Sequence, residues 1–133
     1  MPQDRETGAK ANIYGRKTAR KIMAKLGTQP IDGNTNECYM EDRLVAIKCA
    51  HMATHDIGVS YRMLKRIEAV IGAFEVAPHI YELYEISTKF FDANMRPTRS
   101  KGPAAGKVGL VRKAIVIDKG KALGTVKLTA KAT

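Results

Sequence analysis

Nothing in this chain comes near the roughly 18 consecutive apolar residues that a membrane-spanning helix needs, so no such span is expected. The opening residues, MPQDRETGAK, lack the apolar core of a secretion signal, which predicts a soluble, cytoplasmic protein with no membrane partner. Cysteine is scarce. There are two, Cys38 and Cys49, no C-x-x-C pair and three histidines, so a zinc centre is not expected and reduced, buried thiols are. The G-x-x-x-x-G-K-[ST] spacing is absent, which removes a P-loop, and there is no internal repeat or heptad seam. Acidic residues are also in short supply. Thirteen Asp and Glu stand against 23 Lys and Arg, a formal net charge of +10, and an excess of that size in 133 residues points to a polyanionic partner, most commonly nucleic acid.

What the chain does have is a hairpin pattern over residues 36–50, NECYMEDRLVAIKCA. Two short runs flank the polar pair Glu41-Asp42, and counting outward from that pair sets Met40 opposite Arg43, Tyr39 opposite Leu44, Cys38 opposite Val45 and Glu37 opposite Ala46. Side chains alternate along a strand, so Lys48 shares the Ala46 face and Glu37 becomes its diagonal neighbour at roughly 7 to 8 Å. In this register the two cysteines lie too far apart along the sheet to form a disulfide. The plain reading of the Glu37 and Lys48 placement is a cross-strand ion pair.

An acid on one arm of a hairpin and a lysine two residues beyond the facing position on the other resembles the PD-(D/E)XK nuclease superfamily, which includes restriction endonucleases and Holliday junction resolvases. The likeness covers about the first ninety residues: a helix with Gly15, the hairpin ending in AIK, a second helix, then the strands AVIGAF and HIYELYEI. It implies a restriction-endonuclease-like α/β fold with a central mixed sheet flanked by helices. It also implies a metal-dependent DNA endonuclease in which Glu37 holds Mg²⁺ and Lys48 orients the attacking water or steadies the developing phosphorane charge. Double-stranded or branched DNA is the substrate class this implies, with a homodimer as one assembly open to it. The family carries Glu, Asp or Gln two residues before its lysine. Here that position is Ala46, and Glu68, Asp32 and Asp42 are the candidates to supply the displaced acid, with Glu68 taken as the second metal ligand.

Elsewhere the pattern is mostly structural. Residues 1–11 show no apolar period and read as a loose arm, followed by a helix over Asn12 to Leu26 with Gly27 as its stop. The polar side of that helix carries Arg16, Lys17, Arg20 and Lys21, which are phosphate contacts or simply a solvated face. His51 and His55 fall in a polar segment read as a loop. A two-turn helix is expected over Val59 to Ile67, capped by Asp56 or Ser60. A central strand is expected over Ala69 to Phe74, a neighbouring strand over Ile80 to Ile86, and a short helix capped by Ser87 through Phe90 and Phe91. The stretch RPTRSKGPAAGK has four bases and no acid, and its Arg96, Arg99 and Lys101 are further nucleic-acid candidates. Beyond it, two runs flanking Asp118-Lys119-Gly120 read as a C-terminal hairpin. The chain thus divides into a core over 1–95, a basic loop over 96–107 and a hairpin and tail over 108–133, within a single domain.

Three functions compete: the endonuclease, a non-catalytic nucleic-acid-binding module in which Ala46 marks a lost site, and a small basic structural or assembly protein. A second acid near Glu37 and facing Lys48 favours the first, its absence the second, and bases scattered over the surface the third.

Overall fold

Arg5–Leu26 form one continuous helix, α1, in the computed structural model, which describes residues 5–32, 35–97 and 107–128, with side chains from residue 15 onward. The arm expected through Ala11 is therefore helical from Arg5. RETGAKA is made largely of strong helix formers, so propensity extends the helix beyond its buried stripe. That stripe is Thr18, Ala19, Ile22 and Met23. Gly27, at φ +79°, stops the helix as expected, with the Thr28 N–H donating to the Met23 carbonyl at 2.9 Å.

Glu37–Met40 (β1) and Arg43–Ala50 (β2) form the expected hairpin in the expected register, Glu37 opposite Ala46 through Met40 opposite Arg43. Glu41 and Asp42 take φ of 52° and 64°, the double left-handed turn whose twist matches that of the flanking strands. Asp56–Ser60 (β3) and Tyr61–Leu64 (α2) then carry the chain across to Ala69–Ala77 (β4), which runs parallel to β2. Ile80–Ser87 (β5) returns antiparallel to β4, and Lys121–Lys127 (β8) lies antiparallel to β5. The result is a mixed five-stranded sheet in the order β1-β2-β4-β5-β8, with the apolar strand β4 at its centre as its composition requires. Thr88–Asn94 (α3) follows, its first turn capped by the Ser87 hydroxyl accepting from the Phe90 N–H at 3.0 Å.

Two expectations fail for one reason. Val59 lies in a strand, and the helix expected over Val59 to Ile67 shrinks to the four residues of α2, because β3 pairs with Val108–Arg112 (β7), some fifty residues downstream. The expected C-terminal hairpin is absent. β7 joins β3 and the short Arg96–Pro97 (β6) in a separate three-stranded sheet, and Lys113–Lys119 form a helix, α4, that delivers the chain to the far edge of the large sheet. A hairpin would have held both runs in one sheet. The Lys113 N–H donates to the His55 carbonyl at 2.7 Å and Val116 is fully buried, so tertiary packing overrides the β-branched character of KAIVI. Residues 108–128 are thus woven into both sheets rather than appended to the core.

α1 covers one face of the large sheet over Val45, Ile47, Ile71, Ala73 and Leu83. The small sheet and α2, α3 and α4 cover the other, around Val70, Phe74, Ile86, Phe91 and Val111. Gly109 admits the Met95 side chain between α3 and β7, for a Cβ there would collide with the Met95 sulfur. No helix among the described residues is long and apolar enough to cross a membrane.

Candidate functional site

Glu37 sits at the start of β1 on the sheet face opposite α1. It is only 2% exposed, and a buried carboxylate persists only when its oxygens are satisfied. Arg66, in the turn between α2 and β4, satisfies both: its Nε donates to Oε1 at 3.0 Å and its Nη2 to Oε2 at 2.8 Å. The Thr35 hydroxyl, also buried, donates to Oε2 at 2.5 Å. The Arg66 hydrogen bonds hold the Glu37 pKa below the usual carboxylate range against the opposing effect of burial, with Thr35 adding to the depression. Arg66 itself stays half-exposed.

Lys48 stands where the register puts it, two residues beyond Ala46 on the same face and beside Gly72 of β4. The expected Glu37 to Lys48 ion pair does not form. Glu37 turns to Arg66, and no acid among the described residues lies within ion-pair distance of Lys48. Burial lowers the Lys48 pKa, an effect opposed only by neighbouring Cys49. Below its folded-state pKa the amine is charged in both states, and folding carries the full cost of removing it from water. That cost fades as pH rises toward the ordinary 10.5, because the unfolded chain then holds more protons than the folded one. Lys48→Met is therefore expected to raise unfolding stability by about 1 kcal/mol at pH 7, with the gap to wild type narrowing in urea titrations run toward pH 10.5; equal stability at pH 7 would count against a desolvated amine.

The remaining acids do not gather around Glu37. Glu68 is exposed at the entrance to β4, where its backbone N–H donates to the Leu44 carbonyl at 2.8 Å and its charge acts on Arg43. Asp32 adds to the charge around Arg66, and Asp42 occupies the hairpin turn. Among the described residues no three His, Cys, Asp or Glu side chains converge as a metal-holding group. A Mg²⁺ ion at Glu37 would have to displace the Arg66 guanidinium from both oxygens, so the residues as arranged do not fit that ion. His51 and His55 lie exposed in the loop between β2 and β3, with His51 3.5 Å from Glu75. Both cysteines are free thiols, and burial pushes the Cys49 pKa up to about 12, which leaves it unreactive.

Comparison of the chain with family models, curated proteins and solved structures returned no match.

Geometry separates the basic candidates. Arg16, Lys17 and Lys21 are exposed on α1, away from the sheet, with Lys25 one turn further on; Arg20, on the same side, is half-buried. Arg96 is engaged by Asp56 at 2.8 Å and pins β6 to the small sheet. Arg99 and Lys101 lie outside the described residues. Arg66 escaped the sequence reading altogether. It follows a four-residue helix and has no motif around it, and only the buried acid it meets, 29 positions earlier, marks it out.

Proposed function

We propose that this protein binds nucleic acid through exposed bases on an α/β scaffold and does not itself cut it. The observation that carries this reading is the outer side of α1. Over residues 15–26 it presents Arg16, Lys17, Lys21 and Lys25 with no acid among them, along about 17 Å of helix, the reach of several successive phosphates. A net charge of +10 gives the whole molecule the same preference. The Arg66 grip on Glu37 supports binding over catalysis, because it occupies the one acid that the hairpin brings to the Lys48 face. Anisotropy titrations against duplex, branched and single-stranded DNA at several salt concentrations test the reading. We expect log K to fall against log salt with a slope of about −4, one counterion released per contacted phosphate; a flat response, or no binding at low salt, overturns it.

The metal-dependent endonuclease is the second reading, favoured by one observation. Lys48 is a half-buried amine with no acid partner among the described residues, on the same sheet face as Glu37. Incubating the same DNAs with Mg²⁺ or Mn²⁺ separates the two readings, since cleavage by wild type that Lys48→Ala abolishes makes the protein an enzyme.

A further inference from the structure

Between α2 and α3 the surface opens into a groove of about 590 Å³, within the size range of ligand sites. Its floor is apolar, formed by Leu64, which belongs to the core on that face of the large sheet, and by Tyr61 and Met95, which pack half-buried against that core. The floor is also held in place. The Tyr61 N–H donates to the Lys107 carbonyl at 2.9 Å, and Met95 rests against Gly109, where no side chain intervenes. The rim is charged. Lys65, Lys89 and Asp92 are exposed there, and none of their side chains has an ion pair or hydrogen bond among the described residues, although Lys89 and Asp92 are only one helical turn apart.

We infer that this groove receives one unpaired nucleotide of a single strand, its base against the Tyr61, Leu64 and Met95 floor and its flanking phosphates between Lys65 and Lys89. The inference rests on the reading of the protein as a nucleic-acid binder and adds a substrate class to it. An apolar floor with an aromatic side chain takes the flat face of any base, and two unpaired ammonium groups on either side suit the phosphates that precede and follow it. A duplex keeps its base faces stacked inside and presents base edges and phosphates instead, and the phosphates are already served by the exposed bases of α1. Asp92 places an acceptor at the rim for an exocyclic amino group of the base.

The test uses the full chain carrying ¹³C-methyl methionine. Six methionine signals are expected, and Met95→Leu identifies the one from Met95. Adding a single-stranded octanucleotide should shift the Met95 signal saturably, and adding a blunt duplex of the same sequence should leave it in place. In parallel, Lys65→Glu with Lys89→Glu should raise the ratio of single-strand to duplex Kd about tenfold, while the equal charge change Lys119→Glu with Lys121→Glu, at exposed positions away from both surfaces, leaves that ratio near its wild-type value. If the octanucleotide binds and Met95 does not move, or the groove pair leaves the ratio unchanged, the groove is not the site and the binding reading survives. Absence of binding by either form at low salt overturns both. Should the charge-reversed pair fail to fold, the Met95 titration on wild type decides alone.

Discussion

Arg66→Ala is expected to lower the melting temperature by about 10 °C at pH 7 and to reverse part of the protein's response to acid. In the wild type the folded-state pKa of Glu37 lies below its ordinary 4.5, chiefly through the Arg66 hydrogen bonds. Between those two pH values the unfolded chain binds a proton that the folded one does not, so stability rises with pH through that window. The Arg66 contribution is fully present above pH 4.5 and is lost as pH falls through the folded pKa. Without the guanidinium, a carboxyl only 2% exposed keeps Thr35 as its one remaining side-chain donor among those described, and burial pushes its pKa above 4.5 instead. The folded variant then holds its proton longer than the unfolded chain, and this contribution to stability falls as pH rises from 4.5. Melts followed by circular dichroism at pH 4 and pH 7 read both effects. The double variant Glu37→Met with Arg66→Ala should recover most of the loss, because removing both partners leaves no unpaired buried charge. A single variant that melts with wild type at both pH values would show that the Arg66 and Glu37 pair contributes nothing to the fold.

Reversing Arg16, Lys17 and Lys21 to glutamate together is expected to weaken nucleic-acid binding on the order of 100-fold at physiological salt and to reduce the salt slope by about 3. The fold should be unaffected, since these side chains project away from Ala19, Ile22 and Met23, which anchor α1 to the sheet. Net charge alone would also predict some loss, so the decisive comparison is an equal reversal elsewhere. Lys119, Lys121 and Lys127 are exposed at the end of α4 and on the edge strand β8, and provide it. A markedly smaller loss in this second triple makes α1 the binding surface. Equal losses would mean that the protein is held by diffuse charge and that α1 is an ordinary solvated helix face.

What the sequence alone determined are the features written in neighbouring residues. The Glu41-Asp42 turn and the alternation on either side of it set the β1 and β2 register to the residue, because a slip of one would turn Val45 and Ile47 out of the α1 core. Gly27 ended α1, Ser87 capped α3, and the unbroken apolar run of β4 placed that strand at the centre of the sheet. These are short-range choices of backbone geometry and burial, and they survive whatever the rest of the chain does. Partnership across long separations was decided only by the tertiary structure. Val59 and Ser60, the end of β3, read as the first turn of a helix until β7 supplies their hydrogen bonds, and KAIVI reads as a strand until the passage between two sheets makes it α4. The same holds at the site. Pattern brought Glu37 and Lys48 to one sheet face, but a carboxylate leaving water takes the strongest donor it can reach, and the fold delivered Arg66 rather than Lys48.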